Sequence, residues 1–236
     1  MAFGLINYGF AIVLLCALAC LAALLRRYIM QRNNLTLVFS VFMTGYATTA
    51  ATYTFRGFYS VGEPMELLLW IIQNYMYIVM VVPLALFLIY PLLQQRKGQK
   101  SYWSVMGLVV VILIVAVFNA LMIQLSAIEY TYTDNYGLPH YALEFPVGSG
   151  SHLVYYLTLI LDVAVSTISL VLLAISYKRE ADPFYKRKSL LLVVGWTIAT
   201  YGQLLLLGPS LAIFNPFTSV AAALLVAAGV LMSKKA

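Results

Sequence analysis

Long apolar stretches separated by short polar or basic segments dominate the pattern of the chain. A transmembrane helix needs about 20 mostly apolar residues, and seven stretches reach roughly that length. They cover residues 5–25, 35–55, 65–93, 102–125, 152–176, 189–208 and 216–232. The pattern therefore predicts an all-α integral membrane protein with seven transmembrane helices, forming a single domain over residues 1–236.

The segment between the fourth and fifth stretches has a different pattern. Its sequence EYTYTDNYGLPHYALEF alternates between apolar and polar residues around a DNYG turn. Such alternation on both sides of turn residues is typical of a β-hairpin. We therefore expect an external β-hairpin between helices 4 and 5.

The composition supports a membrane location. The chain is 63% hydrophobic and 9% charged, whereas a soluble domain carries about 25% charged residues. A chain with so few charged residues cannot cover the surface of a soluble protein. We therefore predict a multi-pass protein of the cell membrane, surrounded by the lipid bilayer. The net charge of +6 does not indicate nucleic-acid binding, because no basic run exceeds three residues.

The distribution of the basic residues predicts an orientation. Of the 14 lysines and arginines, all except Arg56 follow the first, third or fifth apolar stretch or end the chain. Basic residues are enriched on the cytoplasmic side of membrane proteins. This rule places the N-terminus outside and the C-terminus in the cytoplasm. Arg56 lies on the outer side, together with Glu63, Glu66, Glu129 and Glu144.

The third stretch contains a motif that starts at Asn74 and has the pattern N-Y-x-Y-I-x-x-V-x-P-L. It resembles the third helix of microbial (type I) rhodopsins, which typically has the pattern R-Y-x-D-W-x-x-T-x-P-L. Tyr75, Pro83 and Leu84 match in register. The layout of seven stretches with an outer N-terminus is also similar to that family. The resemblance implies an opsin-like seven-helix protein.

The departures from the rhodopsin pattern concern its photochemistry. Asn74 and Tyr77 stand where the family has its arginine and aspartate, and Ala221 and Leu225 stand roughly where its seventh helix has aspartate and the retinal-binding lysine. No lysine lies inside any of the seven stretches, and a Schiff base requires a primary amine. We therefore expect no covalent retinal and no light-driven pumping. Non-covalent binding of a retinoid or carotenoid remains an open alternative.

Asp162 is the ionisable residue deepest within an apolar stretch. A charge at mid-membrane costs about 2.5–3.5 kcal/mol on insertion scales, which makes it a candidate functional residue. It fits a proton- or ion-coupled transporter or channel. It also fits a neutral acid that hydrogen-bonds between helices. Its candidate partners at similar depth are Ser166, Asn119, Gln203 and Tyr201.

Polar residues on the second and third stretches extend this candidate intramembrane site. Threonines four residues apart share one face of the second helix, and an amide-rich edge lies on the outer half of the third. These residues either line a wet cavity or form hydrogen bonds within and between helices. The members on these two stretches are Thr48, Thr52, Tyr53, Gln73, Asn74 and Tyr77.

Three functional classes remain after the motifs are considered. No catalytic constellation and no metal-ligand spacing occurs, so we expect neither an enzyme nor a metal site. The favoured class is an opsin-like, non-photochemical protein that acts through protein or small-ligand contacts, as a receptor, scaffold or partner subunit. The alternatives are a transporter or channel that uses Asp162 and an accessory subunit of a larger complex. A homo-oligomer or a membrane-protein partner is compatible with each class.

Overall fold

The computed structural model describes residues 4–95, 98–99, 101–133, 137, 139–202, 205 and 211–232. These residues form seven α-helices and two β-strands. The helices are α1 (Leu5–Gln31), α2 (Asn34–Arg56), α3 (Pro64–Gln95), α4 (Ser101–Leu125), α5 (Leu153–Arg179), α6 (Pro183–Gly202) and α7 (Asn215–Leu231). The strands β1 (Ala127–Thr133) and β2 (Pro139–Glu144) lie between α4 and α5.

Proline marks the start of three helices. Pro64 and Pro183 are the first residues of α3 and α6, and Pro216 follows Asn215 at the start of α7. Proline suits these positions because the first amides of a helix have no partner within it, and the fixed φ of proline matches the helix. The apolar stretches therefore begin as helices close to where the sequence predicts.

The prediction of seven transmembrane helices is wrong. Within the described residues, three helices are long and apolar enough to cross a membrane, and they comprise Leu5–Gln31, Tyr102–Leu125 and Ala212–Leu231. These three helices suggest a membrane protein. The least hydrophobic helices are α2 and α6, because α2 is rich in threonine and α6 opens on a basic run. Residues 203–204 and 206–210 of the predicted sixth span lie outside the described residues.

Six of the helices pack in a closed ring, and α4 lies outside it. Going round the ring, α1 contacts α2, α2 contacts α3, α3 contacts α5, α5 contacts α6, α6 contacts α7, and α7 contacts α1. The fourth helix packs mainly on α3 and only weakly on α5. Most of the surface of α4 is therefore exposed apolar side chain, including Ile114 and Val117.

The main core lies between α1, α2, α6 and α7. Small residues on α7 allow close packing there, since Ser219, Ala223 and Ala227 are all buried. On α1, a Cβ atom added at Gly9 would lie 2.7 Å from the Pro216 ring, so the two helices are in contact without room for a side chain. These small residues of α7 thus pack inside the protein, as expected for helices in close contact.

The two-stranded antiparallel sheet of the predicted hairpin is present. Ala127 pairs with Glu144 and Thr133 with Pro139, and a bulge shifts the register between Tyr130 and Tyr132. Strand β2 is buried almost throughout, whereas the last four residues of β1 are exposed. The hairpin therefore has an inner strand against the helices and an outer strand facing away. Residues 134–136 of the predicted turn lie outside the described residues.

Because consecutive helices run in opposite directions around short connections, the protein has two distinct ends. The hairpin end is defined by the C-terminus of α2, the N-terminus of α3 and the two strands. The basic end is defined by the C-termini of α1, α5 and α7 and the N-terminus of α6. Each end carries its own group of polar and charged side chains.

Candidate functional site

An arginine is buried at the hairpin end and uses each of its nitrogens. The Arg56 side chain is 2% exposed. Its Nε lies 2.7 Å from Glu66 Oε1 and forms an ion pair with it. One terminal nitrogen donates to the backbone oxygen of Pro139 at 2.7 Å, and the other donates to Gln73 Oε1 at 3.2 Å. One side chain thus joins α2, α3 and β2.

Tyr141 completes this cluster from the inner strand. Its hydroxyl donates to the second carboxylate oxygen of Glu66 and accepts the backbone N–H of Gly62 at 3.1 Å. The Arg56 guanidinium carbon lies 5.8 Å from the centre of the Tyr141 ring, within the range of a cation–π contact. Trp70 packs edge-on against the same ring at 5.8 Å. We call Arg56, Glu66, Gln73 and Tyr141 the Arg56 cluster.

The energetics of the Arg56 cluster favour a role in fixing geometry. Removing two charges from water costs several kcal/mol per ion, and the attraction between them repays this only when the remaining hydrogen bonds are also made. The Arg56 cluster meets this condition, because Arg56 has three acceptors and both oxygens of Glu66 have donors. A buried pair of this kind is weak evidence for stability but fixes the position of the groups that it joins. The cluster therefore sets the orientation of β2 on the helices.

Burial raises the pKa of Tyr141 to about 12, and its hydrogen bond to Glu66 acts in the same direction. The ordinary value is about 10, so the folded protein holds this proton more tightly than the unfolded chain does. The stability contributed by the protonated hydroxyl is complete below pH ~10 and is lost as the pH rises towards ~12. The Tyr141 hydroxyl therefore keeps the proton that it donates to Glu66 at neutral pH.

Replacing Tyr141 by phenylalanine tests the hydroxyl of this cluster. The change leaves a buried carboxylate oxygen and the Gly62 N–H without their partner, and a hydrogen bond to a charged group contributes about 1.5–3 kcal/mol. We expect a loss of that size in the free energy of unfolding, measured by denaturant titration in detergent. The matched control is Tyr130→Phe, whose hydroxyl is exposed and for which we expect a change below about 0.5 kcal/mol. Equal effects of the two changes would contradict the assignment.

Two glutamates and a histidine lie at the base of the hairpin. Glu144 on β2 accepts the backbone N–H of Gly150, and this hydrogen bond lowers the pKa of Glu144. A hydrogen bond with Glu144 raises the pKa of Glu129 on β1. His152 Nε2 lies 3.8 Å from Glu129 Oε2. These contacts close the hairpin base against the start of α5.

The outer strand presents aromatic side chains to the surroundings. Tyr130 is 50% exposed and its ring lies 6.0 Å from that of Tyr141 below it. Tyr132 is also exposed and stacks on His140 at 4.6 Å. We call Tyr130, Tyr132 and His140 the outer aromatic face. Because Tyr130 rests on a residue of the Arg56 cluster, the face has a fixed support.

The predicted polar residues of α2 and α3 separate into two groups. Gln73 belongs to the Arg56 cluster, and the Tyr53 ring is buried between Phe10, at 4.1 Å, and the Arg56 guanidinium, at 6.0 Å. Three further predicted residues bond to the backbone of their own helix. Thr48 donates to Thr44, Thr52 to Thr49 and Asn74 to Trp70.

The predicted residues around Asp162 are described only in part. The side chains of Asp162 on α5 and Tyr77 on α3, and all of Gln203, lie outside the described residues. The Tyr201 hydroxyl lies 3.0 Å from the Thr167 hydroxyl and joins α6 to α5. An acid–base role for Asp162 therefore stays a prediction.

Asn119, another candidate partner of Asp162, is buried beside a small cavity between α3, α4 and α5. The cavity has a volume of about 10 Å³, which is roughly the space that one water molecule requires. Its lining residues are Ile78, Val82, Ile112, Val115, Ala116, Asn119 and Val165. A retinoid or carotenoid would not fit in this cavity. Non-covalent binding of such a ligand elsewhere stays a prediction.

The sequence predicts Gln73 as a site residue, but it does not predict Arg56, Glu66 or Tyr141. It places Arg56 and Glu66 among the charges of the outer side, whereas the structure buries both within helices. The sequence contains one indication of the ion pair. Arg56 is the one basic residue on the outer side of the predicted topology, where the other charged residues are acidic. Among the residues that the structure describes, no three histidine, cysteine, aspartate or glutamate side chains converge in a way that would hold a metal ion.

Comparison with known proteins does not assign the chain to a family. No protein-family model matches it, and no curated protein matches it as a relative. The resemblance to microbial rhodopsins stays a prediction from the motif. Of the matched residues, Tyr75 has a described contact, since its hydroxyl lies 3.3 Å from the Ala120 backbone oxygen and 3.2 Å from Gln124 Oε1.

Proposed function

We propose that the protein is a multi-pass protein of the cell membrane that acts without catalysis, by binding another protein at its outer aromatic face. The main support for this proposal is that the two strands of the hairpin differ in burial. The inner strand is held by the buried Arg56 cluster, and the outer strand leaves Tyr130 and Tyr132 exposed.

The chemistry of the outer aromatic face supports protein binding. Tyrosine is enriched among the residues that carry most of the binding energy at protein interfaces. A tyrosine side chain buries a large area and loses little conformational entropy on binding, because it has few rotatable bonds. Support from β2 reduces the ordering cost further, since a preorganised surface binds with less entropic loss. These features favour a receptor, scaffold or partner subunit over a transporter.

Two experiments test the proposal: the first locates the contact with the partner, and the second measures how much the face contributes to binding. To locate the contact, a photoreactive amino acid replaces Tyr130 in the native membrane. The matched control carries the same amino acid at Ile114, on the exposed side of α4. We expect a discrete protein adduct from position 130 and none of the same mass from position 114. Absence of any protein adduct at position 130, in a chain that is folded and present in the membrane, would overturn the proposal.

The second experiment measures the binding affinity for the partner recovered by cross-linking. It compares the wild type with Tyr130→Ala and Tyr132→Ala. A truncated interface residue of this kind costs 2 kcal/mol or more, so we expect at least one change to weaken binding by about 30-fold. The matched control is Val147→Ala, which removes an exposed apolar side chain from the loop that follows β2. Unchanged affinity in both tyrosine variants would contradict the assignment of the face.

A further inference from the structure

The basic end concentrates positive charge. Its described cations come from three chain segments, which are the end of α1, the end of α5 and the start of α6. The cations are Arg26, Arg27, Arg32, Lys178, Arg179, Lys186, Arg187 and Lys188. The acidic residues nearby, Glu180 and Asp182, accept the backbone N–H groups of Asp182 and Phe184 in their own turn. Eight described cations and two acids leave this end with a net positive charge.

Two of the cations have a structural use at the end of α7. Arg27 donates to the backbone oxygen of Val230 at 2.9 Å, and Lys188 Nζ lies 3.4 Å from the backbone oxygens of Val230 and Met232. Burial, followed by the charge of Arg27, lowers the pKa of Lys188. These two residues satisfy carbonyl groups that a helix C-terminus leaves without partners. They are therefore excluded from the ligand-binding groups.

Lys186 and Arg187 are placed differently, because they are exposed in the first turns of α6. Cations near a helix N-terminus are disfavoured, since that end of the helix dipole is positive. Lys178 and Arg179 in the last turn of α5 are exposed beside them. The Asp182 carboxylate already complements the positive end of the α6 dipole, because it accepts the Phe184 N–H. Four exposed cations still surround the short α5–α6 connection and outnumber its two acids, Glu180 and Asp182.

Aromatic residues surround the same end. Trp103 near the start of α4 is 74% exposed, and Tyr185 on α6 is 47% exposed. Two cations lie over tyrosine rings, Arg32 over Tyr28 at 5.7 Å and Lys186 over Tyr177 at 5.4 Å. Tryptophan and tyrosine are enriched where membrane proteins cross the headgroup region. These aromatic residues point independently to a lipid–water boundary at the level of the cations.

We propose that the α5–α6 connection binds the headgroups of anionic phospholipids in the adjoining leaflet. The binding groups are Lys178, Arg179, Lys186 and Arg187. Each lysine or arginine near an anionic membrane surface contributes favourably to binding, and the aromatic residues hold these cations at headgroup depth. The inference rests on the membrane location proposed above but is independent of the binding role of the hairpin.

The test measures lipid preference by native mass spectrometry of the full chain. The protein is released in mild detergent from bilayers that contain equal amounts of phosphatidylglycerol and phosphatidylcholine of the same chain lengths. We expect the wild type to retain phosphatidylglycerol preferentially. In the double variant Lys186→Gln/Arg187→Gln we expect this preference to fall about fivefold for each cation removed. The matched control Arg187→Lys keeps the charge and is expected to keep the preference.

Each outcome of this test is decisive. Equal retention of the two lipids by the wild type, or an unchanged preference in the double variant, overturns the inference. Displacement of the lipid by inorganic phosphate assigns the cations to a soluble anion instead, and also overturns it. Thermal unfolding of both variants at the wild-type temperature shows that folding is intact. Failure of the chain to enter any bilayer would contradict the membrane location itself and is thereby distinguished from a failure of lipid preference.

Discussion

Replacing Arg56 by methionine is expected to lower the free energy of unfolding by about 3–5 kcal/mol. The change leaves Glu66 buried without its ion-pair partner, and breaking a buried pair in this way is strongly destabilising. It also removes the donors to Gln73 and to the Pro139 backbone oxygen. The loss is measured by denaturant titration in detergent, and it is a large fraction of the stability of a typical domain.

A second substitution distinguishes the cost of the unpaired charge from the value of the pair. The double variant Arg56→Met/Glu66→Leu removes both charges, and replacing a buried pair by apolar residues is often neutral or stabilising. We therefore expect the double variant to be more stable than Arg56→Met alone. A double variant as unstable as the sum of two single losses would show that Arg56 and Glu66 act independently. The exposed Arg26→Met serves as the control for loss of positive charge.

Truncation of Trp196 to alanine is the second change with a large expected effect. Trp196 on α6 is 2% exposed, packs against Phe42 at 5.0 Å and donates its indole N–H to the Ser166 backbone oxygen at 3.3 Å. Large-to-small changes of buried aromatic residues cost about 3–5 kcal/mol through lost transfer energy and a residual cavity. Because lipid reduces the transfer term between membrane helices, we expect a loss near 3 kcal/mol.

The control for this truncation is Trp103→Ala, since Trp103 is 74% exposed. The same atoms are removed there without creating a cavity, so we expect a change below about 0.5 kcal/mol. Both variants are compared by thermal unfolding in the same detergent. Similar losses from the two positions would contradict the placement of Trp196 in the core between α2, α5 and α6.

The sequence predicted the positions of the helices and the hairpin because these depend on local patterns. Apolar runs of helical length predict starts at residues 65 and 216, within one residue of the starts of α3 and α7, but they place the sixth stretch from residue 189, whereas α6 begins at Pro183. Alternation around turn residues likewise predicted β1 and β2. The lengths of the apolar stretches did not predict correctly how many helices have the hydropathy needed to cross a membrane. In α2 the many threonines, and in α6 the cations of the first turns, lower the mean hydropathy below that of α1, α4 and α7.

The contacts of the candidate site were less predictable, because they join residues far apart in the chain. Arg56 reaches Pro139, which lies 83 residues later in the chain, and no local pattern reports such a contact. Composition also could not tell that Asn74 donates to the backbone of its own helix while the adjacent Gln73 accepts from Arg56. The two side chains are equivalent in polarity, and only their positions around α3 separate them.

The proposed binding face requires that the buried ion pair of Arg56 and Glu66 holds the hairpin in place. The decisive measurement is amide hydrogen exchange of residues 140–144 in the wild type and in Arg56→Met. We predict slow exchange in the wild type and a loss of protection in the variant that is confined to the hairpin and the start of α3, with α1 and α7 unchanged. Rapid exchange of these amides in the wild type, or equal protection in both proteins, would contradict it.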